Sequence, residues 1–214
     1  MTTLDTIRLQ FPKDALKTYS RNDSRILASD KYLGQDYLYT QYEQKGLKEY
    51  GINRILVDND KADITLSGKV LLDNYSKGIS LDSINEVFDN INKVSAFEID
   101  TNKAIDTSHI LRCDYTNNIK PSYSTKDSVE SMLLMRTANN TNVDVYTKRG
   151  NVGCVIDRSI KTEKRRLIMY DKPKELSLKS SSAFLNNCKD SNKVMNDFKG
   201  VLRVEQNLTS FKSM

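Results

Sequence analysis

The chain has 214 residues, of which 38% are hydrophobic and 29% are charged, and its formal net charge is +5 at pH 7. This composition is typical of a soluble globular protein and excludes a disordered chain, and no apolar run approaches the roughly 20 residues that span a bilayer. The three cysteines have no CxxC spacing, which argues against a zinc site and indicates reduced thiols in a cytoplasm. The N-terminal segment has no basic region followed by an apolar stretch, so a secretory signal is not expected.

The first half of the chain predicts strands followed by a helix. Residues Leu4 to Phe11 alternate in polarity, and Pro12 ends this predicted strand. The stretches INRILV and DITLSGKVLL are also predicted to be extended. Ser80 is the predicted N-cap of a helix whose apolar residues recur at helical spacing, namely Leu81, Ile84, Val87, Phe88, Ile91 and Val94.

The second half predicts a sheet with interspersed helices. A strand over 109–116 precedes a helix capped by Thr125, and VDVYTKRGNVGCVID predicts a hairpin that turns at positions 149–151. RRLIMYDK is the predicted third strand of this meander, followed by a helix around 182–198 and the strand VLRVEQNL. We therefore predict a single α+β domain over residues 1–214, in which helices cover one face of a mostly antiparallel sheet.

Basic residues are concentrated between positions 146 and 174, where nine lysines and arginines accompany only Asp157, Glu163 and Asp171 as acidic residues. Such clustering suits a polyanion, because each phosphate neutralised by a cationic side chain releases a counterion. A merely solvated, highly charged hairpin is the alternative. The candidate phosphate-binding residues are Lys148, Arg149, Arg158, Lys164, Arg165 and Arg166.

Three predicted strands carry polar side chains on one face. HILRCDYT places Arg112 and Asp114 on one face of a strand. VLRVEQNL likewise places Arg203 and Glu205 on one face. RRLIMYDK places Tyr170 and Lys172 together. A half-buried sheet alone would explain this alternation. However, carboxylates at the centre of a sheet are also ligands that Mg²⁺ or Mn²⁺ prefers, which makes Asp114 and Glu205 candidate metal ligands.

Five segments resemble, in order, the gene II replication initiators of filamentous phages and related phage and plasmid replication proteins. They are LDTIRLQFP, ITLSGKVLL with the following helix, ILRCDYTNNI, LIMYDKPKEL and GVLRVEQNL, and they extend from Leu4 to Leu208. The resemblance implies a replication-initiator endonuclease-like fold and rolling-circle initiation. Such an enzyme nicks one strand of an origin, becomes covalently attached to the 5′ end, and frees a 3′ hydroxyl.

The resemblance also implies partners and a location. Origin DNA, either single-stranded or locally melted duplex, and the host replication machinery are the expected partners, and a membrane is not. The expected location is the cytoplasm of a bacterial host that carries the phage or plasmid.

Tyr170 is the candidate nucleophile, and it corresponds to the tyrosine of the family's Tyr-x-Lys strand. A free phenol has a pKa of about 10, so it needs activation at neutral pH. Lys172 on the same face, together with a metal that polarises the phosphate, would favour the phenolate. Tyr115, beside Asp114, and Tyr146, in the basic hairpin, are the reserve candidates.

Many rolling-circle endonucleases hold their metal with a His-hydrophobic-His motif, which a chain with the single histidine His109 cannot form. Metal ligation is therefore expected to fall on carboxylates. In a regular strand His109 lies on the face opposite Asp114 and is structural, whereas a bulge would turn it inward.

Family chains usually continue beyond the last strand, so we expect this chain to be an N-terminal catalytic fragment or a trimmed form. Two other functions remain open from the sequence. One is an origin-binding module without chemistry, and the other is a metal-dependent nuclease that uses water instead of Tyr170.

Overall fold

The computed structural model of the chain describes residues 3–18, 26–33, 37–44, 46–134, 141–146, 153–160 and 163–208. The strands of this part are β1 (Thr3–Pro12), β2 (Leu16–Thr18), β3 (Ile26–Leu33), β4 (Tyr37–Gln44), β5 (Ile52–Val57), β6 (Lys61–Ser67), β7 (Glu98–Ile99), β8 (His109–Ile119), β9 (Thr141–Tyr146), β10 (Gly153–Ile160), β11 (Glu163–Asp171) and β12 (Leu202–Leu208). The α-helices are α1 (Ile84–Val94), α2 (Thr101–Thr107), α3 (Thr125–Leu133), α4 (Lys172–Ser177), α5 (Lys179–Asn187) and α6 (Ser191–Asp197), and 3₁₀ helices span Lys13–Ala15, Leu47–Tyr50 and Gly68–Lys77.

Ten of the described strands form one sheet in the order β3-β4-β5-β6-β1-β8-β12-β11-β10-β9. The pairings within it are antiparallel, and β2 and β7 pair separately. β12 lies between β8 and β11, which confirms that the three polar strands are neighbours. The predicted α+β class with a mostly antiparallel sheet is also confirmed.

One face of the sheet, called the apolar face below, forms the main core. Ile7, Leu9 and Phe11 of β1 alternate inward and are 2–3% exposed. They pack in one cluster with Val87 and Phe88 of α1, which are fully buried. Burial of large apolar side chains on this scale, each contributing roughly 1.5–3 kcal/mol, holds α1 against the sheet.

The start of α1 differs from the prediction. The helix begins at Ile84 rather than after Ser80, and Leu81, predicted to face inward, is 90% exposed. The hydroxyl of Ser83 accepts a hydrogen bond from the Ser80 backbone N–H at 2.8 Å and donates one to the Gly78 carbonyl at 3.0 Å. These bonds hold positions 80–83 as a turn, so the helical spacing of Leu81 was coincidental.

The extended prediction for DITLSGKVLL is correct only as far as Ser67. From Gly68 the chain forms a 3₁₀ helix, in which the consecutive residues Val70 and Leu71 are both 1% exposed. A strand with one buried face cannot bury two successive side chains, because they point to opposite faces. A helical turn can bury both.

A second, smaller core lies at one end of the opposite face, which is called the polar face below. Its buried members come from the Gly68–Lys77 helix, from α4 to α6 and from the chain between α6 and β12, namely Tyr75, Leu176, Phe184, Val194, Phe198 and Val201. The carbon at the centre of the Arg203 guanidinium lies 5.1 Å from the Tyr75 ring centroid and 5.0 Å from that of Phe198. Aromatic rings therefore cover the polar face where β12 begins.

The C-terminal helices correct two further predictions. The predicted helix around 182–198 is two helices, because Asp190 caps α6 by accepting a hydrogen bond from the Lys193 N–H. The predicted strand RRLIMYDK ends one residue early, since the Asp171 side chain caps α4 and Lys172 is its first residue. The N-cap of α3 is Ser124 rather than Thr125.

The predicted hairpin is present as the antiparallel pair β9 and β10, while its turn at 149–151 lies outside the described residues. The β3–β4 hairpin and α2 were not predicted from the sequence. No helix in the part of the chain that the structure describes is long and apolar enough to cross a membrane.

Two glycines with positive φ allow a matched stability test. Gly51 has a φ of +80°, and a Cβ added there would lie 2.6 Å from the backbone nitrogen of Val70. Gly46 has a φ of +90°, but a Cβ there would meet no described atom within 4 Å. We expect Gly46→Ala to lower the free energy of unfolding by about 1 kcal/mol through backbone strain alone. Gly51→Ala should lower it by about 2–4 kcal/mol, because a steric clash adds to the strain.

Urea unfolding of the two variants and the wild type measures this difference. Equal losses for the two variants would contradict the close packing of Gly51 against Val70.

Candidate active site and nucleic-acid interface

The strand register gathers the predicted site residues on the polar face. Thr116 of β8 pairs with Glu205 of β12, and Asp114 lies two residues before Thr116. Tyr170 of β11 pairs with Arg203, two residues before Glu205. Because directly paired residues point to the same face, Asp114, Glu205 and Tyr170 share the polar face. The prediction that these strands present their polar sides together is confirmed.

A buried ion pair lies at the centre of this arrangement. Arg203 is 1% exposed, and its Nη1 donates hydrogen bonds to Asp5 Oδ1 at 2.6 Å and to the Tyr75 hydroxyl at 2.8 Å. Its Nε donates to Asn118 at 3.0 Å. Asp5 is the extra residue of a bulge in β1, since Leu4 and Thr6 pair with consecutive residues of β8. The bulge thus directs the Asp5 carboxylate toward the guanidinium.

Lys172 is a second buried cation, 2% exposed. Its Nζ donates hydrogen bonds to the Tyr75 hydroxyl at 2.8 Å and to Glu175 Oε2 at 2.6 Å. It also lies 5.5 Å from the centroid of the Tyr170 ring. The sequence prediction places Lys172 beside Tyr170, and the ammonium does lie near that ring, but these two hydrogen bonds go to other partners.

Tyr170 donates a short hydrogen bond to Glu205 Oε1. Burial of the carboxyl group, together with the nearby Asp5 carboxylate, raises the pKa of Glu205 to about 7. Burial and the charge of Glu205 raise the pKa of Tyr170 well above its usual value. The pair is therefore a neutral phenol held by a carboxyl group that can gain or lose a proton near neutral pH.

Gly153 of β10 allows the sheet to close against Tyr170. The two residues pair directly, and a Cβ at Gly153 would lie 2.4 Å from the Met169 carbonyl oxygen and 2.8 Å from the Tyr170 Cβ. Contacts this short do not occur in proteins, so only glycine fits beside the tyrosine.

The predicted metal ligands have other partners. Arg112 Nε donates to Asp114 Oδ1 at 3.1 Å, and its Nη2 donates to Oδ2 at 2.8 Å, so the guanidinium covers both carboxylate oxygens. Glu205 is bound by Tyr170. Within the described ranges no group of three or more His, Cys, Asp or Glu side chains could hold a metal ion. In this arrangement the donor set does not fit Mg²⁺ or Mn²⁺, and the metal requirement stays a prediction.

His109 lies on the polar face because of a second bulge. Arg112 pairs with Arg8, but the next pairs are Ile110 with Leu9 and His109 with Gln10, so β8 contains one extra residue. The shift turns the exposed His109 to the same face as Asp114. The sequence left open a regular strand, with His109 opposite Asp114, or a bulged strand, and the structure has the bulged strand.

A line of arginines crosses the exposed part of the polar face. Arg54 of β5 pairs with Thr65 of β6, Thr65 pairs with Arg8 of β1, and Arg8 pairs with Arg112 of β8. The arginine row below means Arg54, Arg8 and Arg112. Arg8 is bound to Asp63 at 2.5 Å, and Arg112 to Asp114 at 2.8 Å, so carboxylates fix the direction of two of these side chains.

The structure describes only some of the predicted phosphate-binding residues and reserve tyrosines. Arg166 is exposed in β11 and pairs with Asp157, whereas Lys148 and Arg149 lie outside the described residues. The backbones of Arg158, Lys164, Arg165 and Tyr146 lie in strands, but their side chains are outside the described part. Tyr115 pairs with Leu4, is 39% exposed and lies on the apolar face, away from Glu205.

Sequence reasoning missed Asp5, Tyr75 and Glu175 as members of this site. Asp5 points to the polar face only because of its bulge. Tyr75 follows the predicted strand DITLSGKVLL, in a stretch for which no element was predicted. Glu175 lies three residues after Lys172, a spacing typical of a helical ion pair, so this contact could have been found if α4 had been predicted.

Comparisons with known proteins identify no family. No protein-family model matches the chain, and no curated protein matches it. A solved structure that aligns with it is described as that of a rolling circle replication initiator protein from Geobacillus stearothermophilus. The two are 13% identical, with 97% of this chain and 73% of that chain covered and a TM-score of 0.40. Membership of the gene II family stays a prediction, and function has to be argued from the residues of this chain.

The pKa of Glu205 predicts how stability depends on pH. The folded state keeps this carboxyl protonated up to about pH 7, whereas the unfolded chain releases the proton near 4.5. The folded state therefore binds more protons between these values, and the free energy of unfolding should fall by about 3 kcal/mol as pH rises through this range. Glu205→Gln should remove this fall.

Urea unfolding at about pH 5 and about pH 8 measures the effect. Glu130→Gln is the control, because Glu130 is an exposed acid of α3, and it should keep the wild-type pH dependence. A Glu205→Gln variant with the same fall as the wild type would contradict the assignment.

Proposed function

We propose that this chain is a rolling-circle replication initiator that nicks one strand of origin DNA and joins its 5′ end to Tyr170. The observation that carries the proposal is the Tyr170–Glu205 hydrogen bond on the face that also presents the arginine row. A nucleophile bonded to a base of nearly neutral pKa is the arrangement that general base catalysis requires.

The reaction is a transesterification. The Tyr170 oxygen attacks the phosphorus, its proton passes to the Glu205 carboxylate, and the bond from phosphorus to the 3′ oxygen breaks as the new bond forms. The departing 3′ oxygen takes a proton from water. One phosphodiester replaces another, so bond energy is retained and the strand can later be rejoined.

Two buried cations support this chemistry electrostatically. Lys172 lies beside the Tyr170 ring, and the charge of Arg203 acts on both Tyr170 and Glu205. Positive charge in a buried site favours the ionised phenol and the negative charge that develops on the phosphate. Neither cation has to move, because hydrogen bonds to Tyr75 already fix both.

The substrate is single-stranded or locally melted DNA. An exposed sheet face that carries arginines suits a single strand, whose phosphates pair with the guanidinium groups. The basic segment between positions 146 and 174, which includes the β9–β10 hairpin, would extend this contact. Its candidate phosphate-binding residues are Lys148, Arg149, Arg158, Lys164, Arg165 and Arg166. Origin DNA and the replication machinery of a bacterial host are the proposed partners, and the host cytoplasm is the proposed location.

Two observations favour a second function, an origin-binding module without chemistry. Tyr170 is only 6% exposed, and each Asp114 carboxylate oxygen is bound by Arg112. In this alternative the buried charges only stabilise the sheet, while the arginines and the hairpin bind DNA.

Tyr170→Phe separates the two functions. The substitution keeps the ring but removes the attacking oxygen, so DNA binding should persist while covalent capture of a 5′ end is lost. A denaturing gel of protein incubated with end-labelled single-stranded origin DNA detects the adduct.

Tyr115→Phe is the matched control, because Tyr115 lies on the apolar face, and this variant should still form the adduct. An adduct formed by Tyr170→Phe would disprove the assignment of the nucleophile. Absence of an adduct from the wild type would support the binding module.

The basic hairpin predicts a strong dependence of binding on salt. Lys148→Ala and Arg149→Ala should each lower the slope of log affinity against log salt by about one unit, because each removes one phosphate contact. Fluorescence anisotropy with a labelled single strand measures the slope. Lys93→Ala, an exposed lysine of α1, is the control and should change nothing. An unchanged slope in the hairpin variants would indicate a merely solvated hairpin.

A further inference from the structure

A pocket opens between β4 and β5 at the outer end of the arginine row. β4 pairs with β5 at Thr40, Gln41 and Tyr42, and the chain that connects the two strands contains the Leu47–Tyr50 helix. The pocket has a volume of about 550 Å³. The residues that characterise its lining are Gln41, Tyr42, Leu47, Asn53, Arg54 and Ile55.

The lining combines an apolar floor with polar walls. Tyr42, Leu47 and Ile55 are at most 5% exposed and belong to the main core. Asn53 and Arg54 are exposed residues at the start of β5. Asn53 is the extra residue of a bulge, because Ile52 and Arg54 pair with consecutive residues of β6. The bulge breaks the alternation of β5 and brings an amide to the pocket.

The chemistry of this lining suits a flat, polar ring. Amide groups both donate and accept hydrogen bonds, as the edge of a nucleobase requires, and an apolar floor accommodates the faces of the ring. The volume lies within the range of about 300–1,000 Å³ that is usual for small-ligand sites. Arg54 belongs both to the pocket and to the arginine row, so a base in the pocket would have its phosphate beside the row.

We propose that this pocket holds one unpaired nucleobase of the single strand whose phosphates follow the arginine row toward Tyr170. The inference rests on the proposed function, since it assumes the same DNA strand. β5 and β11 are separated by five strand spacings in the sheet. At about 4.8 Å per spacing this is about 24 Å across the strands. Tyr170 also lies level with Asn118, six residues along β8 from Arg112, which adds about 20 Å along the strand direction. The protein would therefore read a base at a fixed distance from the nick.

The test uses four labelled 16-mers, namely dT16, dA16, dC16 and a 16-mer of abasic sites, with fluorescence anisotropy at one salt concentration. We expect the wild type to bind one of the homopolymers at least about 10-fold more tightly than another, because the hydrogen bonds of the pocket discriminate between base edges. Asn53→Ala should reduce this ratio to about 2-fold or less, while affinity for the abasic strand, which reports phosphate contacts alone, stays within about 2-fold.

Asn59→Ala is the matched control. Asn59 is an exposed asparagine of the β5–β6 turn and does not line the pocket, so this variant should keep the wild-type ratio. Urea unfolding verifies that both variants are folded.

Three outcomes would contradict the proposal that this pocket holds a nucleobase. The wild type could show no preference among the homopolymers, Asn53→Ala could retain the preference, or Asn53→Ala could weaken all four probes equally. Any of them can occur while the wild type still binds DNA and forms the Tyr170 adduct, in which case the proposed function stands. Absence of binding to every probe at low salt would instead overturn the proposed function together with the pocket.

Discussion

The ion pair between Arg203 and Asp5 is the interaction on which the site depends. These residues are separated by 198 positions in the chain, and the side chains meet because β12 lies next to β8, which pairs with β1 on its other side. Arg203 is almost completely buried, so its charge must be paired. Removing one partner of a buried ion pair typically costs about 3–5 kcal/mol, because the other charge is left uncompensated. The ion pair therefore links the last strand to the first strand, although β8 lies between them in the sheet.

Tyr75 connects this ion pair to the second cation. Its hydroxyl accepts hydrogen bonds from both Arg203 and Lys172, and Lys172 in turn binds Glu175 of α4. The 3₁₀ helix that carries Tyr75, the start of α4 and the start of β12 are thereby held in one geometry. Tyr170 and Glu205 lie next to this group of fixed side chains. Their burial raises the pKa of the Tyr170 phenol and the pKa of the Glu205 carboxyl. The proposed proton transfer would gain from both effects, because the groups are positioned in advance and the Glu205 carboxyl titrates near neutral pH.

Alternating polarity made much of the sheet predictable from the sequence. Polar and apolar side chains alternate in β1, β8, β11 and β12, and this period of two gave the approximate positions of these strands. It also gave the common polar face of β8, β11 and β12 correctly. The same reasoning failed where the backbone departs from regularity. Nothing in the sequence marks the bulge at Asp5 or the extra residue of β8 that turns His109, since bulges depend on the pairing of two distant strands.

The helical regions show a similar limit. The spacing of Val87, Phe88 and Ile91 correctly predicted α1, because these side chains share its buried face. Leu81 fits the same spacing but lies in a turn that hydrogen bonds of Ser83 stabilise. Val70 and Leu71 suggested a strand, whereas the structure buries both in a 3₁₀ helix. Tyr75 belongs to that helix, so its contact with the two cations could not be foreseen.

The central claim is that Tyr170 becomes joined to DNA, and mass spectrometry of the protein–oligonucleotide adduct tests it most directly. Protein incubated with single-stranded origin DNA would be digested with trypsin and nuclease, and the modified peptide sequenced by fragmentation. We predict a nucleotide attached through phosphate to Tyr170. A nucleotide on Tyr115, on Tyr146 or on any other residue, or no modified peptide at all, would contradict the account.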